Sequence, residues 1–80
     1  MKMTPAQKIL FLESVELPIL YNDNRQLQFF KEDGEHVDSF DPVWDIKIKN
    51  TTITIIGCAY HEYIIELADF DCVTDIVEGE

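Results

Sequence analysis

The tetrapeptide Cys58-Ala59-Tyr60-His61 has the clearest potential for chemistry in this sequence. Its Cys-x-x-His spacing brings a thiolate and an imidazole close together, and a closed structural zinc site takes four such ligands. The further thiol and imidazole, Cys72 and His36, stand apart and form no second paired motif. The pattern therefore indicates zinc only weakly, and an inert cysteine beside a loop histidine explains it better.

Other chemical arrangements are weaker still. Nucleophilic catalysis needs a thiolate activated by a base that a third group holds in place. Cys58 with His61 is the only nearby pair of this kind, and a free cysteine is more often a small hydrophobic residue. Asp69-Phe70-Asp71 followed by Asp75 lacks the glycine and the final glutamate of a calcium-binding EF-hand loop. Pairs of carboxylates arise by chance in a chain with 16 Asp and Glu residues. We expect a protein that is not an enzyme and that has no cofactor or metal.

Charge is distributed unevenly along the chain. From residue 50 to residue 80 there are seven carboxylates and no lysine or arginine, and the net charge of the whole chain is −10. A strong excess of one charge affects which partners a protein attracts and how soluble it is, but it does not specify the fold. Basic proteins are the favoured partners, whereas direct binding to nucleic acid or to an anionic membrane surface is disfavoured.

The acidic C-terminal half has three interpretations. It is a solvated face that keeps the domain soluble, an array of carboxylates that imitates a nucleic-acid backbone, or a surface for another basic partner, such as a toxin. We favour the second among the functional interpretations. It predicts an inhibitor that occupies the basic nucleic-acid-binding surface of a host enzyme, of the anti-restriction or anti-CRISPR type found in phages and other mobile elements. The predicted partner-binding residues are Glu62, Glu66, Asp69, Asp71, Asp75, Glu78, Tyr60 and Phe70.

The alternative is a small structural or oligomerising β-module. Such a protein would make its contacts through a sheet edge or an apolar patch. The predicted pairing places Phe29 opposite Asp38 and leaves Ile56 on an otherwise polar face, and both features are consistent with a partly covered surface. Self-association would favour this interpretation over the inhibitor.

The N-terminal segment favours a short helix over residues 5–13, although its apolar positions also fit a strand. Thr4 is a suitable N-cap, Pro5 suits the first helical position, and Gln7 completes a capping box. The longest apolar run, Ile9 to Leu12, is too short to span a bilayer. Because no secretory signal is recognisable, we expect a cytoplasmic protein with free cysteines.

The rest of the chain predicts antiparallel strands. The clearest hairpin joins Trp44–Lys49 to Thr52–Gly57 through Asn50-Thr51, with Trp44 on its core face. Asp33-Gly34 predicts a second, two-residue hairpin turn. Its register would pair Phe30 with Val37, Phe29 with Asp38 and Leu27 with Phe40.

Two further strands and one ambiguous segment complete the prediction. Leu17–Tyr21 and Glu62–Leu67 have strand patterns, while Phe70–Val77 fits either a strand or a helical turn. The predicted fold is α+β and mostly β, in one domain spanning residues 1–80. It consists of a short N-terminal helix followed by five to six antiparallel strands in a small barrel or roll.

Overall fold

The computed structural model describes residues 2–21 and 23–76. Within these ranges it has a single α-helix and six strands, so the fold is mostly β, as predicted. The helix α1 spans Pro5–Ser14, and the strands are β1 Leu27–Phe30, β2 His36–Phe40, β3 Asp45–Lys49, β4 Thr52–Ile56, β5 Glu62–Glu66 and β6 Cys72–Thr74.

The strands pair as two antiparallel sheets of three strands each. The strand order is β2-β1-β6 in one sheet and β3-β4-β5 in the other. Residues Phe70–Val77, which the sequence left ambiguous, contain the strand β6, while Val77 lies outside the described residues. The single barrel or roll stays a prediction, because the described strands form two separate sheets.

Helix α1 begins where the sequence predicts. The Gln7 amide donates to Thr4 Oγ1 at 3.1 Å, and the Thr4 amide donates to Gln7 Oε1 at 2.8 Å, which completes the capping box. The helix packs against β3 and β6, one strand from each sheet. It buries Lys8 and Leu12, and Leu12 belongs to the apolar core that the two sheets share.

The β3–β4 hairpin confirms the predicted register but not the predicted position of Trp44. Ile46 pairs with Ile55 and Ile48 with Ile53. However, β3 is an edge strand, and its apolar face is only partly covered. Trp44, which precedes β3, is 45% exposed and does not belong to the core.

The β1–β2 hairpin has a longer turn than predicted. The Lys31 amide donates to the Glu35 carbonyl at 2.7 Å, so three residues, 32–34, form the loop. Gly34 has a φ of +95°, a conformation that glycine adopts without steric cost, in the position that ends such a three-residue loop.

This turn changes the register at one end of the hairpin. A bulge between Phe29 and Phe30 places Phe30 opposite His36, so the predicted pairing of Phe30 with Val37 is wrong. The other two predicted pairs are confirmed: Leu27 with Phe40 and Phe29 with Asp38.

The segment Leu17–Tyr21 is not a strand, in contrast to the prediction. It forms one isolated bridge, in which Ile19 and Val43 exchange both backbone hydrogen bonds at 2.8 and 2.9 Å. Pro18 has no amide hydrogen to extend the pairing. The Leu20 amide instead donates to Asp23 Oδ2 at 2.9 Å, which turns the chain away.

Among the described residues, no helix has the length and apolar character needed to cross a membrane.

Candidate protein-binding surface

Two of the predicted carboxylates hold turns in place: Glu66 contacts the turn between β3 and β4, and Asp69 stabilises the turn that follows β5. Glu66 accepts hydrogen bonds from the hydroxyls of Thr51 and Thr52 at 3.2 and 2.9 Å. Asp69 accepts a hydrogen bond from the Glu66 amide at 3.0 Å. Both side chains are therefore engaged in contacts within the protein.

Asp71 and Asp75 also have internal partners. Asp71 accepts a hydrogen bond from the Glu32 amide at 2.7 Å and lies 4.0 Å from Lys2 Nζ. Asp75 forms an ion pair with Arg25 at 2.9 Å. The four carboxylates at 66, 69, 71 and 75 thus lie beside different loops and hold them in place.

The remaining predicted residues have different positions. Phe70 is completely buried, with its ring 4.7 Å from that of Phe29, so it offers no surface to a partner and its assignment to the site is wrong. Glu78 lies outside the described residues. Tyr60 is 82% exposed, and Glu62 is also exposed at the start of β5.

Tyr60 and Glu62 line one cleft together with Trp44, and other exposed aromatic residues lie nearby. Tyr21, Trp44 and Tyr63 are 64%, 45% and 41% exposed. Three adjoining clefts connect these side chains, since each cleft shares lining residues with the next. We call this region the aromatic surface and define it by Tyr21, Trp44, Tyr60 and Tyr63.

The first of these clefts, which we call the acidic cleft, has a volume of about 270 Å³. Its lining residues include two tyrosines, Tyr21 and Tyr63, and two aspartates, Asp38 and Asp41. No ion pair of either carboxylate is found among the described residues. Asp38 Oδ1 accepts a hydrogen bond from the Ser39 amide at 2.9 Å.

The other two clefts extend the surface on either side of Trp44. The apolar cleft, of about 380 Å³, is formed mainly by Leu20, Tyr21, Pro42, Trp44 and Ala59. The third cleft, of about 360 Å³, lies among Trp44, Asp45, Lys47, Ile56, Tyr60 and Glu62.

Carboxylates outnumber cations around the three clefts. Lys47 is the one cation among their lining residues. The lining residues include five carboxylates, which are Asp23, Asp38, Asp41, Asp45 and Glu62. In the described part of the chain, the two ion pairs, Lys2–Asp71 and Arg25–Asp75, involve none of these carboxylates. The aromatic surface therefore carries a net negative charge that internal cations leave available to a partner.

A tight loop positions Tyr60 on this surface. Ala59 and Tyr60 both adopt left-handed backbone conformations, with φ of 57° and 61°. The Gly57 amide donates to the His61 carbonyl at 2.8 Å and closes the base of the loop. Non-glycine residues in this conformation are strained, and such strain is often found at functional sites.

Tyr63 is fixed in place by its neighbours. Its ring centroid lies 5.2 Å from that of Phe40 in β2 and 4.8 Å from that of His61. Gly57 favours this packing, because a Cβ at residue 57 would lie 3.2 Å from Tyr63 Cε2 and 3.3 Å from the Pro42 carbonyl oxygen, closer than ordinary van der Waals contact. One wall of the acidic cleft is therefore preformed.

Cys58 and His61 both lie in the loop that positions Tyr60. Among the described residues, no group of three or more His, Cys, Asp or Glu side chains is arranged to hold a metal ion. Cys58 is an exposed free thiol, and its proximity to the Tyr21 hydroxyl raises the pKa of that tyrosine. Cys58 thus lies near Tyr21, and His61 packs against the ring of Tyr63, so both residues contact the aromatic surface.

Sequence analysis identified this surface only in part. Trp44 and Tyr63 were not among the predicted site residues, and Trp44 had been placed on the core face of the β3–β4 hairpin. One available signal was the isolated Ile56 on the polar face of the β3–β4 hairpin, because Ile56 lines the third cleft beside Trp44 and Tyr60.

Comparison of the chain with protein-family models finds no match, and comparisons with curated proteins and with solved structures find none either.

Proposed function

We propose that the protein is a non-enzymatic binding module that engages a basic protein partner through the aromatic surface. The observation that carries this proposal is the coincidence of four exposed aromatic residues with five carboxylates that line the same clefts. Tyrosine and tryptophan are enriched among residues that dominate binding energies, and carboxylates steer a cationic partner towards them.

The favoured partner is an enzyme whose basic surface binds nucleic acid, and the protein inhibits it by covering that surface. The net charge of −10 supports this proposal, since it disfavours direct binding to nucleic acid but favours the cationic surface of a protein that binds it. Asp45 and Glu62 both lie opposite Ile56, on either side of β4. Their Cα atoms are about 10 Å apart at the usual strand spacing, so they hold two negative charges at fixed positions.

The test is a binding and competition measurement with restriction enzymes and CRISPR effectors. We expect binding that weakens at least about tenfold when NaCl is raised from about 50 to about 500 mM, because salt shortens the range of electrostatic attraction. Duplex DNA should compete with the protein for the enzyme. Binding that is insensitive to salt, or that DNA does not displace, would contradict the proposal.

A matched pair of variants separates the site from the net charge. The first neutralises four carboxylates of the surface: Asp38→Asn, Asp41→Asn, Asp45→Asn and Glu62→Gln. The second neutralises four exposed carboxylates outside the three clefts: Glu13→Gln, Glu16→Gln, Glu32→Gln and Glu35→Gln. We expect the first variant to lose much more affinity than the second, although both lose the same charge. Equal losses would show that net charge alone drives binding.

Self-association through β5 is a second candidate function. β5 lies at the edge of its sheet, and Ile64 on it is 62% exposed. A symmetric antiparallel pair centred on Ile64 would, however, place Glu62 opposite Glu66 of the second copy, and directly opposed like charges are destabilising. Sedimentation at low and high salt tests this candidate, which predicts a dimer that strengthens as salt is added.

A further inference from the structure

We propose that the acidic cleft binds the guanidinium group of an arginine side chain on the partner. This inference rests on the proposed function and names the group that the partner inserts. The cleft, of about 270 Å³, has Tyr21, Tyr63, Asp38 and Asp41 among its lining residues.

The chemistry of the lining favours arginine over lysine. A guanidinium group is planar, stacks on aromatic rings, and donates paired hydrogen bonds to a carboxylate. It is also less strongly hydrated than an ammonium group, so losing water on entering a cleft lined by two tyrosines costs it less. A lysine would neutralise the charge of the cleft, but its compact ammonium group would not stack on the tyrosine rings.

The carboxylates have acceptor capacity available for this contact. Asp38 uses one oxygen to accept a hydrogen bond from the Ser39 amide, and its second oxygen has no hydrogen-bond donor among the described residues. Asp41 is half-buried beside it, and none of the described residues forms an ion pair with either side chain. A cation that enters the cleft therefore meets two carboxylates that no described side chain neutralises.

The cleft also requires little rearrangement before binding. Tyr63 packs against Phe40 and His61, and the absence of a side chain at Gly57 leaves the room that its ring occupies. A wall that is already in place reduces the ordering cost of binding and so increases affinity.

The experiment compares oligoarginine and oligolysine peptides of the same length and charge. Binding is followed by ¹H–¹⁵N NMR on the full-length protein at about 150 mM NaCl, an ionic strength that screens diffuse attraction beyond about 8 Å. We expect oligoarginine to bind at least about tenfold more tightly than oligolysine. Its largest shifts should fall on the amides of Tyr21, Asp41, Gly57 and Tyr63, which line the cleft.

Two variants and one control show whether the cleft accounts for the difference. Asp38→Asn combined with Asp41→Asn should lower the affinity for oligoarginine to the level of oligolysine. Tyr21→Ala should weaken the preference for arginine without affecting the core, because Tyr21 is 64% exposed. Glu13→Gln combined with Glu16→Gln removes the same charge outside the clefts and should leave the preference for arginine intact.

The outcomes separate this inference from the proposed function. If both peptides bind equally and the shifts fall on the wider aromatic surface, the arginine site is overturned while the binding module stands. If neither peptide binds, both the arginine site and the electrostatic basis of the proposed function fail.

Discussion

Lys8 illustrates how a single buried charge holds the fold together. It is only 5% exposed, and its Nζ donates to the carbonyls of Leu67 and Phe70, both at 2.6 Å. The ammonium also lies 4.8 Å from the centroid of the Phe70 ring. Helix α1 is thereby tied to the loop between β5 and β6.

Replacing this residue tests its structural role. We expect Lys8→Met to lower the free energy of unfolding by about 1–3 kcal/mol, because two buried carbonyls lose their donor while the new side chain fills most of the space. Urea unfolding followed by circular dichroism measures the change. Lys31→Met is the control. Lys31 is less buried, and its side chain forms no hydrogen bond within the described part of the chain, so this change should have little effect.

Lys8 should also make the free energy of unfolding depend on pH, and the direction of this dependence can be predicted. Burial lowers the pKa of Lys8 below its usual value of 10.5, and nearby Asp71 opposes this shift only in part. Between the lowered pKa and 10.5, the unfolded chain retains a proton that the folded protein has lost. The contribution of Lys8 to the unfolding free energy therefore increases as the pH rises through this window.

Comparison of the wild type with Lys8→Met isolates this contribution, since both proteins share all other titrating groups. Unfolding free energies are measured in steps of pH up to about 10.5. The stability difference between the two proteins should grow with pH. A difference that stays constant or shrinks would show that burial does not set the pKa of this amine.

Substitutions at two aromatic residues should have different effects: one should reduce stability and the other should mainly reduce partner binding. Phe70→Ala should cost about 3–5 kcal/mol and unfold much of the protein, because the ring is fully buried against Phe29. Trp44→Ala should cost far less, because that side chain is 45% exposed. It should nevertheless weaken partner binding by about tenfold or more, as expected for an aromatic anchor. Thermal unfolding and a binding assay on the same preparations measure both effects.

At the scale of elements, the loop Gly57–His61 combines strain with exposure. Ala59 has φ 57° and ψ 30°, and the next residue, Tyr60, is the most exposed aromatic residue of the surface. A protein gains no stability from holding a non-glycine residue in this conformation. The strain is accounted for if the loop has to present Tyr60 in a fixed direction.

Ala59→Gly tests this interpretation. Glycine adopts the left-handed conformation without steric cost but gives the unfolded chain more freedom, so the net change in stability should stay within about 1 kcal/mol. Partner affinity should fall, because the loop that holds Tyr60 becomes less rigid. Unchanged affinity, with the loop shown by NMR relaxation to be more mobile, would contradict a presenting role for the loop.

Local sequence signals predicted the elements whose contacts are themselves local. Thr4 and Gln7 lie three residues apart and identified the helix start, and the alternation of isoleucines specified the β3–β4 register. The exposure of Trp44 could not be predicted in this way. It depends on β3 being an edge strand, which is decided by how two sheets and a helix assemble.

The candidate site was predictable only in part for a related reason. The C-terminal carboxylates form a group in the sequence, but Asp71 and Asp75 contact Lys2 and Arg25 from the N-terminal half. Conversely, the acidic cleft takes Asp38 and Asp41 from the half that holds all the cations. Long-range pairing thus redistributes the charge asymmetry that the sequence shows.

For the molecule as a whole, salt should act in opposite directions on folding and on binding. The net charge of −10 is large for 80 residues, and described residues contribute two ion pairs to offset the repulsion. Screening should therefore raise the unfolding free energy when NaCl increases from about 50 to about 500 mM. Over the same range, affinity for a basic partner should fall, because screening weakens attraction as well as repulsion.

Measuring both quantities in the same buffers tests the charge argument directly. Potassium fluoride and sodium chloride at equal ionic strength serve as controls for specific ion effects, since screening depends only on ionic strength. If affinity falls because the protein unfolds, the two quantities will decrease together. An unfolding free energy that rises while affinity falls would show that the same excess of carboxylates destabilises the folded protein and attracts its partner.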